Sequence, residues 1–118
     1  MPRLNPQTRL RAICLAFPEA VEQAFGGHTD PTYRVRNKIF AMESSRDGRP
    51  ALWCKAPPGA QSMLVDADPE RFFAPPYVGP KGWIGVHIDR GTDWDLVRDL
   101  VSDSYRMTAP KRLLALLR

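Results

Sequence analysis

The sequence predicts an α+β fold, in which helices pack on one face of an antiparallel β-sheet. Three observations support this prediction: short strands are grouped in the middle of the chain, the connections between them are too short for parallel crossovers, and helices stand at both ends. The 118 residues suit a single domain over residues 1–118 and are enough to bury a core without disulfides or metals.

The first helix is predicted from Pro6 to Ala16. Asn5 is a favourable N-cap, and proline is well suited to the first helical position. The apolar face of this helix recurs at helical spacing, with Leu10, Ile13, Cys14 and Phe17 on one side. Pro18 ends the helix because the residue before a proline is pushed out of the helical region.

The central sheet is predicted from four short strands, at Val21–Phe25, Tyr33–Val35, Ile39–Ser44 and Ala51–Lys55. Asn37 lies near one turn, and Asp47-Gly48 can supply the positive φ angles of a tight hairpin. Short helical segments are expected over Ala60–Val65 and Asp68–Phe72. The short turns between the strands make neighbouring strands antiparallel.

The clearest strand–turn–helix unit runs from Trp83 to Met107. Its strand alternates, with Ile84, Val86 and Ile88 on the core side and Trp83, Gly85, His87 and Asp89 on the other, so His87 is expected to be partly exposed. Thr92 and Asp95 have the spacing of a capping box for a helix over Asp93–Met107. The apolar stripe of that helix consists of Trp94, Val97, Leu100, Val101 and Tyr105, and a last short helix follows Pro110.

Composition indicates a cytoplasmic protein with no membrane contact. No apolar run is long enough to span a bilayer, and the first residues lack the pattern of a signal peptide. The two cysteines, Cys14 and Cys54, lie inside apolar runs and form no Cys-x-x-Cys pair, which favours buried, reduced thiols.

Motifs of catalysis are absent from the sequence, so no catalytic residue, cofactor or metal is predicted and the protein is expected not to be an enzyme. There is no Gly-x-Ser-x-Gly, and the Gly79–Gly82 segment leads into a strand rather than a helix, unlike a phosphate loop. The histidines, His28 and His87, have no partner at zinc-ligand spacing. A pocket lined by Tyr77, Trp83 and His87 with nearby carboxylates remains an open alternative.

Basic residues concentrate in the hairpin region, although the net charge is only +4. Residues 33–60 hold six basic and two acidic side chains, whereas the following segment to residue 103 is acidic. Basic hairpins can bind DNA phosphates. The predicted nucleic-acid-binding residues are Arg34, Arg36, Lys38, Arg46, Arg49 and Lys55.

Two other interpretations of this charge pattern stay open. One is a polar outer sheet face without any binding role. The other is a protein–protein interaction or chaperone-like adaptor that binds a partner, or a second copy, through the sheet face or the Tyr77–Trp83 loop. The oligomeric state is not predicted.

Short motifs along nearly the whole chain resemble the MmcQ/YjbR-like family of small bacterial proteins. The matching residues are Pro76–Gly79, Lys81–Val86, Asp89, the helix ending Ser104-Tyr105, Leu15–Glu19, Gly26, His28, Lys38–Ala41, Trp53–Lys55, Pro57 and Gly59. The most specific part is the Trp83 strand together with Ser104-Tyr105. The resemblance implies a secretion-chaperone-like α+β domain with a double-wing topology. It further implies DNA binding through two β-hairpin wings, here the hairpins around Asn37 and Asp47, and it supplies no catalytic motif.

Overall fold

The computed structural model describes residues 5–24, 30–46 and 48–117, and for Arg46 it describes the backbone alone. These residues form an α+β domain, which confirms the predicted fold class. The helices are α1 (Pro6–Leu15), α2 (Ala60–Ala67), α3 (Trp94–Thr108) and α4 (Lys111–Leu114). The strands are β1 (Val21–Ala24), β2 (Pro31–Val35), β3 (Lys38–Arg46), β4 (Arg49–Cys54), β5 (Phe72–Phe73) and β6 (Ile84–His87).

The six strands form one antiparallel sheet in the order β1-β2-β3-β4-β6-β5. The two-residue strand β5 is the element that the sequence pattern misses, because a helical turn is expected over Asp68–Phe72. Instead Phe72 pairs with Val86 and Phe73 with Gly85. Two residues are too few for an alternating pattern to be recognised.

Both hairpins of the basic region use β3, so their tips lie at opposite ends of the sheet. The β2–β3 turn consists of Arg36 and Asn37, whose φ angles of 51° and 67° are those of a type I′ turn. The β3–β4 hairpin closes on the pair Arg46–Arg49, while Asp47 is outside the described residues. At about 3.3 Å per residue, the nine residues of β3 separate the two tips by roughly 26 Å.

The core lies between the sheet and the helices α1 and α3. From the sheet, Leu52, Cys54, Ile84 and Val86 are buried on this side, which we call the helix face. The predicted stripe of α3 is confirmed, since Val97, Leu100, Val101 and Tyr105 are all buried and Trp94 packs against the core. Ser104 of α3 also ties the helix to the sheet, because its hydroxyl donates to the carbonyl of Phe40.

The opposite face of the sheet, which we call the open face, is only partly exposed. Trp83 is 9% exposed and His87 6% exposed, so the expectation of a partly exposed His87 is wrong. The cause is a tertiary contact, because Phe73 of β5 packs its ring against His87, with the ring centroids 5.0 Å apart. The sheet thus has a covered half around β5 and β6, while β2 to β4 carry the rest of this face.

The start of α3 also differs from the predicted capping box. Asp93 is the N-cap, and its side chain accepts hydrogen bonds from the backbone N–H groups of Asp95 and Leu96. Thr92 instead donates its hydroxyl to the carbonyl of Asp89, 2.6 Å away. Aspartate is a strong N-cap in its own right, so a shift of one residue keeps the helix start satisfied.

Among the described residues, no helix is both long and apolar enough to cross a membrane. The predicted end of the first strand at Phe25, together with Gly26 and His28 of the family resemblance, lies outside the described residues.

Candidate binding surfaces

Five of the six residues predicted to bind nucleic acid separate into two groups at the two ends of β3, and the sixth, Arg34, lies within β2. Arg36 and Lys38 lie at the β2–β3 turn, and Lys55 joins them because it follows Cys54, which pairs with Ala41 near the start of β3. Arg46 and Arg49 close the hairpin at the other end. The predicted residues therefore do not form one continuous surface.

The first group has additional neighbours, and we call Arg36, Lys38, Lys55 and Arg112 the basic end. Arg36 forms a bidentate pair with Glu19, with Nε 2.6 Å and Nη2 3.1 Å from its carboxylate oxygens. The guanidinium of Arg36, and to a smaller extent that of Arg112 on α4, lower the pKa of the Glu19 carboxyl. Arg112 therefore lies within electrostatic reach of the turn. Two carboxylates lie near the basic end: Glu19, and Asp103, which is next to Ser104 on α3. The four basic side chains outnumber them, so this end keeps an excess of positive charge.

Lys38 and Lys55 are like charges held near one another. Burial, and then the positive charge of Lys38, lower the pKa of Lys55. The position of Lys55 is set by its backbone, whose N–H donates to the hydroxyl of Ser104 at 2.9 Å. No ion pair among the described residues includes either lysine. An anion placed between them would relieve this repulsion.

At the other end of β3, Arg49 is bound to a carboxylate of its own fold. Its Nε and Nη2 donate to Asp89 at 2.5 and 3.1 Å, and its Nη1 donates to the carbonyl of Glu70. Arg71 also donates to Asp89, at 3.2 Å. Hydrogen bonding and charge from Arg49 lower the pKa of the Asp89 carboxyl, so Arg49 is held as part of a structural cluster.

Arg34 lies within the sheet rather than at a tip. A shift in register falls between Tyr33 and Arg34, and Arg34 donates from Nε to the hydroxyl of Thr32 at 3.2 Å. Arg34 and Arg36 do not leave one strand face together, because β2 ends at Val35 and Arg36 belongs to the turn. The side chain of Arg46 lies outside the described residues.

A pocket of about 210 Å³ lies on the open face, and we call it the Trp53–Tyr77 pocket. Its walls come from neighbouring strands and from the loop after β5, with Asp30, Thr32, Met42, Ser44, Trp53 and Tyr77 around it. The register explains the grouping, because Met42 pairs with both Thr32 and Trp53. Trp83 and His87, the other aromatic and imidazole members of the alternative pocket around Tyr77, do not line it.

Two of the residues that line this pocket have unusual features. Tyr77 is 90% exposed and has a φ of 66°, a left-handed conformation that costs a tyrosine roughly 1–2 kcal/mol. The indole N–H of Trp53 is buried, and no acceptor contacts it in the described part of the chain. A buried donor without an acceptor is uncommon in native proteins.

The border of this pocket is acidic. Asp30 and Glu43 both adjoin it, although the Glu43 carboxylate turns toward Tyr33, whose hydroxyl donates to it at 2.8 Å. Burial raises the pKa of Glu43, the hydrogen bond from Tyr33 opposes this shift, and the charges of Asp30 and Glu22 add to it. The electrostatic character of this site is therefore opposite to that of the basic end.

The cysteines lack the environment of a catalytic nucleophile. Both are buried free thiols, and burial raises the pKa of Cys54 to about 12 and that of Cys14 further still. The thiolate, which is the nucleophilic form, is thus suppressed at neutral pH. No group of three or more potential metal ligands is found among residues 5–24, 30–46 and 48–117.

Several residues of these surfaces escape the sequence patterns. Arg112 lies on a helix far along the chain from the hairpins, and Asp30 belongs to a segment, residues 28–32, whose sequence indicates only a loop. Asp89, which binds Arg49, is 40 residues away from it. One sequence signal points to the pocket on the open face. Met42 and Ser44 alternate along β3, and this spacing places both on the face opposite the helices.

Comparison with known proteins agrees with the family resemblance. The YjbR family model matches residues 15–107 of the chain. The crystal structure of Deinococcus radiodurans protein DR2400, with a DUF419 domain, is similar, with a TM-score of 0.73 and 21% sequence identity over 83% of this chain and 74% of that one. No curated protein matches the sequence.

Proposed function

The chain belongs to the YjbR family, and we propose that it is a non-enzymatic, cytoplasmic binding module that contacts DNA through its basic end. The contacts are to phosphates, from Lys38 and Lys55 with Arg36 and Arg112 beside them. Reading of base sequence forms no part of this proposal, because phosphate contacts carry no sequence information directly.

One observation supports this role above all others: Lys38, at the start of β3, lies within electrostatic reach of Lys55, at the end of the paired strand β4, and neither lysine takes part in an ion pair among the described residues. Keeping two like charges adjacent is unfavourable for the free protein. A phosphate bridging them would turn this repulsion into attraction and would release counterions from the DNA. The β2–β3 wing therefore carries the proposal, whereas Arg49 of the other wing is already bound to Asp89.

The non-enzymatic part of the proposal is supported by the state of the nucleophiles. Both thiols are buried with raised pKa values, and His87 is packed against Phe73. The cytoplasmic location is supported by the same two cysteines, which remain thiols inside the core.

The test is fluorescence anisotropy of a labelled DNA duplex of about 20 base pairs, measured across a salt series. Binding should weaken as salt rises, and the double variant Lys38→Gln/Lys55→Gln should reduce the salt slope by about 2, since each phosphate contact contributes about 0.9. The matched control is Lys81→Gln/Arg90→Gln, which removes two exposed charges elsewhere on the surface. Equal losses in the two double variants, or no binding at low salt, would refute the DNA role.

A second candidate function is a protein-interaction adaptor, favoured by a different observation. Tyr77 is almost fully exposed and holds a strained backbone beside a partly apolar pocket. Exposed aromatic side chains next to a pocket are typical of protein interfaces. If an immobilised duplex fails to retain the protein at any salt while a protein partner does, the adaptor function replaces the DNA function.

A further inference from the structure

The Trp53–Tyr77 pocket lies on the open face, bordered by different residues from those of the basic end. Its volume of about 210 Å³ decides what kind of occupant it can take. Pockets for drug-sized ligands span about 300–1,000 Å³, so this one is too small for most of them. It has room for one side chain.

The lining selects among side chains. Two aromatic residues, Trp53 and Tyr77, flank the pocket, and Asp30 supplies a negative charge at its border. An anionic side chain would be repelled by Asp30 and by the nearby Glu43. A cation is favoured by both features, because the faces of aromatic rings attract positive charge.

We propose that the Trp53–Tyr77 pocket binds an arginine side chain of a partner protein, with its guanidinium against the two rings and paired with Asp30. A guanidinium is planar and weakly hydrated, so it stacks on aromatic rings and can pair with a carboxylate at the same time. The proposal rests on the adaptor function and is independent of DNA binding. It also gives a reason for the strained, exposed conformation of Tyr77, which keeps the ring beside the pocket.

The test uses the three tryptophan indole N–H signals in a ¹H–¹⁵N spectrum, assigned with Trp53→Phe. The probe is N-acetyl-arginine amide, and its matched control is N-acetyl-citrulline amide, which has nearly the same shape without the charge. The arginine derivative should move the Trp53 signal in a saturable way while the Trp83 and Trp94 signals stay in place. No shift, or equal shifts with citrulline, would overturn the proposal.

Two variants separate the ring contribution from the charge. Tyr77→Ala, which keeps a side chain at the strained φ angle, should weaken binding about 2- to 10-fold, as expected for one cation–π contact. Asp30→Asn should weaken arginine binding and leave the citrulline spectrum unchanged. Lys38→Gln/Lys55→Gln should not alter the arginine response. This double variant therefore distinguishes failure of the DNA role from failure of the arginine site. Arginine binding that is unchanged in both pocket variants would assign it to another site.

The source of the arginine is tested with a ten-residue peptide that carries one arginine. Binding of the peptide as well as of the amide supports a protein partner. Binding of the amide alone would show that the pocket recognises cations but that the adaptor function fails. Sedimentation that reveals a dimer dissociated by Asp30→Asn would overturn the partner assignment in favour of a second copy of the chain.

Discussion

The ring of Phe73 occupies the space that a Cβ atom on Gly85 would need. A Cβ built on Gly85 lies 2.3 Å from Cε2 of Phe73, closer than any real contact. The two residues are paired across β5 and β6, and both are buried. The covered half of the open face thus depends on the absence of a side chain at position 85.

Substitution Gly85→Ala should destabilise the fold by about 1–3 kcal/mol, the usual cost of overpacking, as measured by urea denaturation. In a Phe73→Ala background the same change should cost much less, because the ring that it meets is gone. Gly79→Ala is the control: its Cβ would meet Ala74 at an ordinary 3.5 Å, so we expect about 0.5 kcal/mol or less. Additive costs at positions 73 and 85 would contradict this account.

Asp89 is the shared acceptor of Arg49 and Arg71, and Asp89→Asn should destabilise the protein at pH 7. We expect about 1–2 kcal/mol, less than for a fully buried pair because Arg49 is partly exposed. Asp95→Asn is the matched control. It disrupts an exposed surface pair with Arg98, for which we expect about 0.5 kcal/mol.

The same variant has a defined pH dependence. Interaction with Arg49 lowers the pKa of Asp89 in the folded state, so its stabilising contribution is complete above the ordinary pKa of 3.8. The contribution is lost as the pH falls through the lower, folded-state pKa. The difference in unfolding free energy between wild type and Asp89→Asn should therefore shrink in acid. A constant difference from pH 7 to pH 2 would show that the charge of Asp89 is not the cause.

The parts of the fold that follow from local spacing could be predicted. The stripe of α3 from Val97 to Tyr105 and the alternation of Ile84, Val86 and Ile88 depend on period alone, and each is buried as expected. The strand β5 could not be predicted, because its two residues gain their conformation from pairing with β6. The burial of His87 has the same origin, because the residue that covers it, Phe73, belongs to the neighbouring strand β5.

The candidate surfaces depend on contacts between distant residues, and this limited their prediction. Arg36 meets Glu19 from 17 residues away and Arg49 meets Asp89 from 40, and no sequence period reports either pair. A count of charges along the hairpins treats all six basic residues alike. The structure instead holds Arg36 and Arg49 in carboxylate pairs and brings Lys55 within electrostatic reach of Lys38 through the return of β4.

Ser104 joins α3 to two strands through one hydroxyl. It donates to the Phe40 carbonyl at 2.5 Å and accepts from the Lys55 N–H at 2.9 Å, and the residue is fully buried. Ser104→Ala would leave both backbone groups without this partner, so we expect a loss of about 2–3 kcal/mol. Amide hydrogen exchange at Lys55 should accelerate as well.

Ser102→Ala is the control for this substitution, since it changes the same residue type on the same helix. Within the described part of the chain, the hydroxyl of Ser102 accepts one long hydrogen bond of 3.4 Å, from Arg106, so its loss should alter stability by about 0.5 kcal/mol or less. If exchange at Lys55 is unchanged in Ser104→Ala, the hydroxyl does not anchor this end of β4.

Glu43 should oppose folding at neutral pH. Burial, aided by the charges of Asp30 and Glu22, raises the pKa of its carboxyl, so the folded state binds the proton more tightly than the unfolded state does. Stability from this group is therefore present below its ordinary pKa and declines as the pH rises through the higher, folded-state pKa.

Glu43→Gln keeps an acceptor for the Tyr33 hydroxyl and removes the charge. We expect it to equal or exceed the wild type in unfolding free energy at pH 7, with the gain disappearing toward pH 4. Tyr33→Phe, which removes the donor to this carboxylate, should destabilise the fold at pH 7. A Glu43→Gln protein less stable than wild type at pH 7 would mean that the ionised carboxylate is a favourable partner for Tyr33.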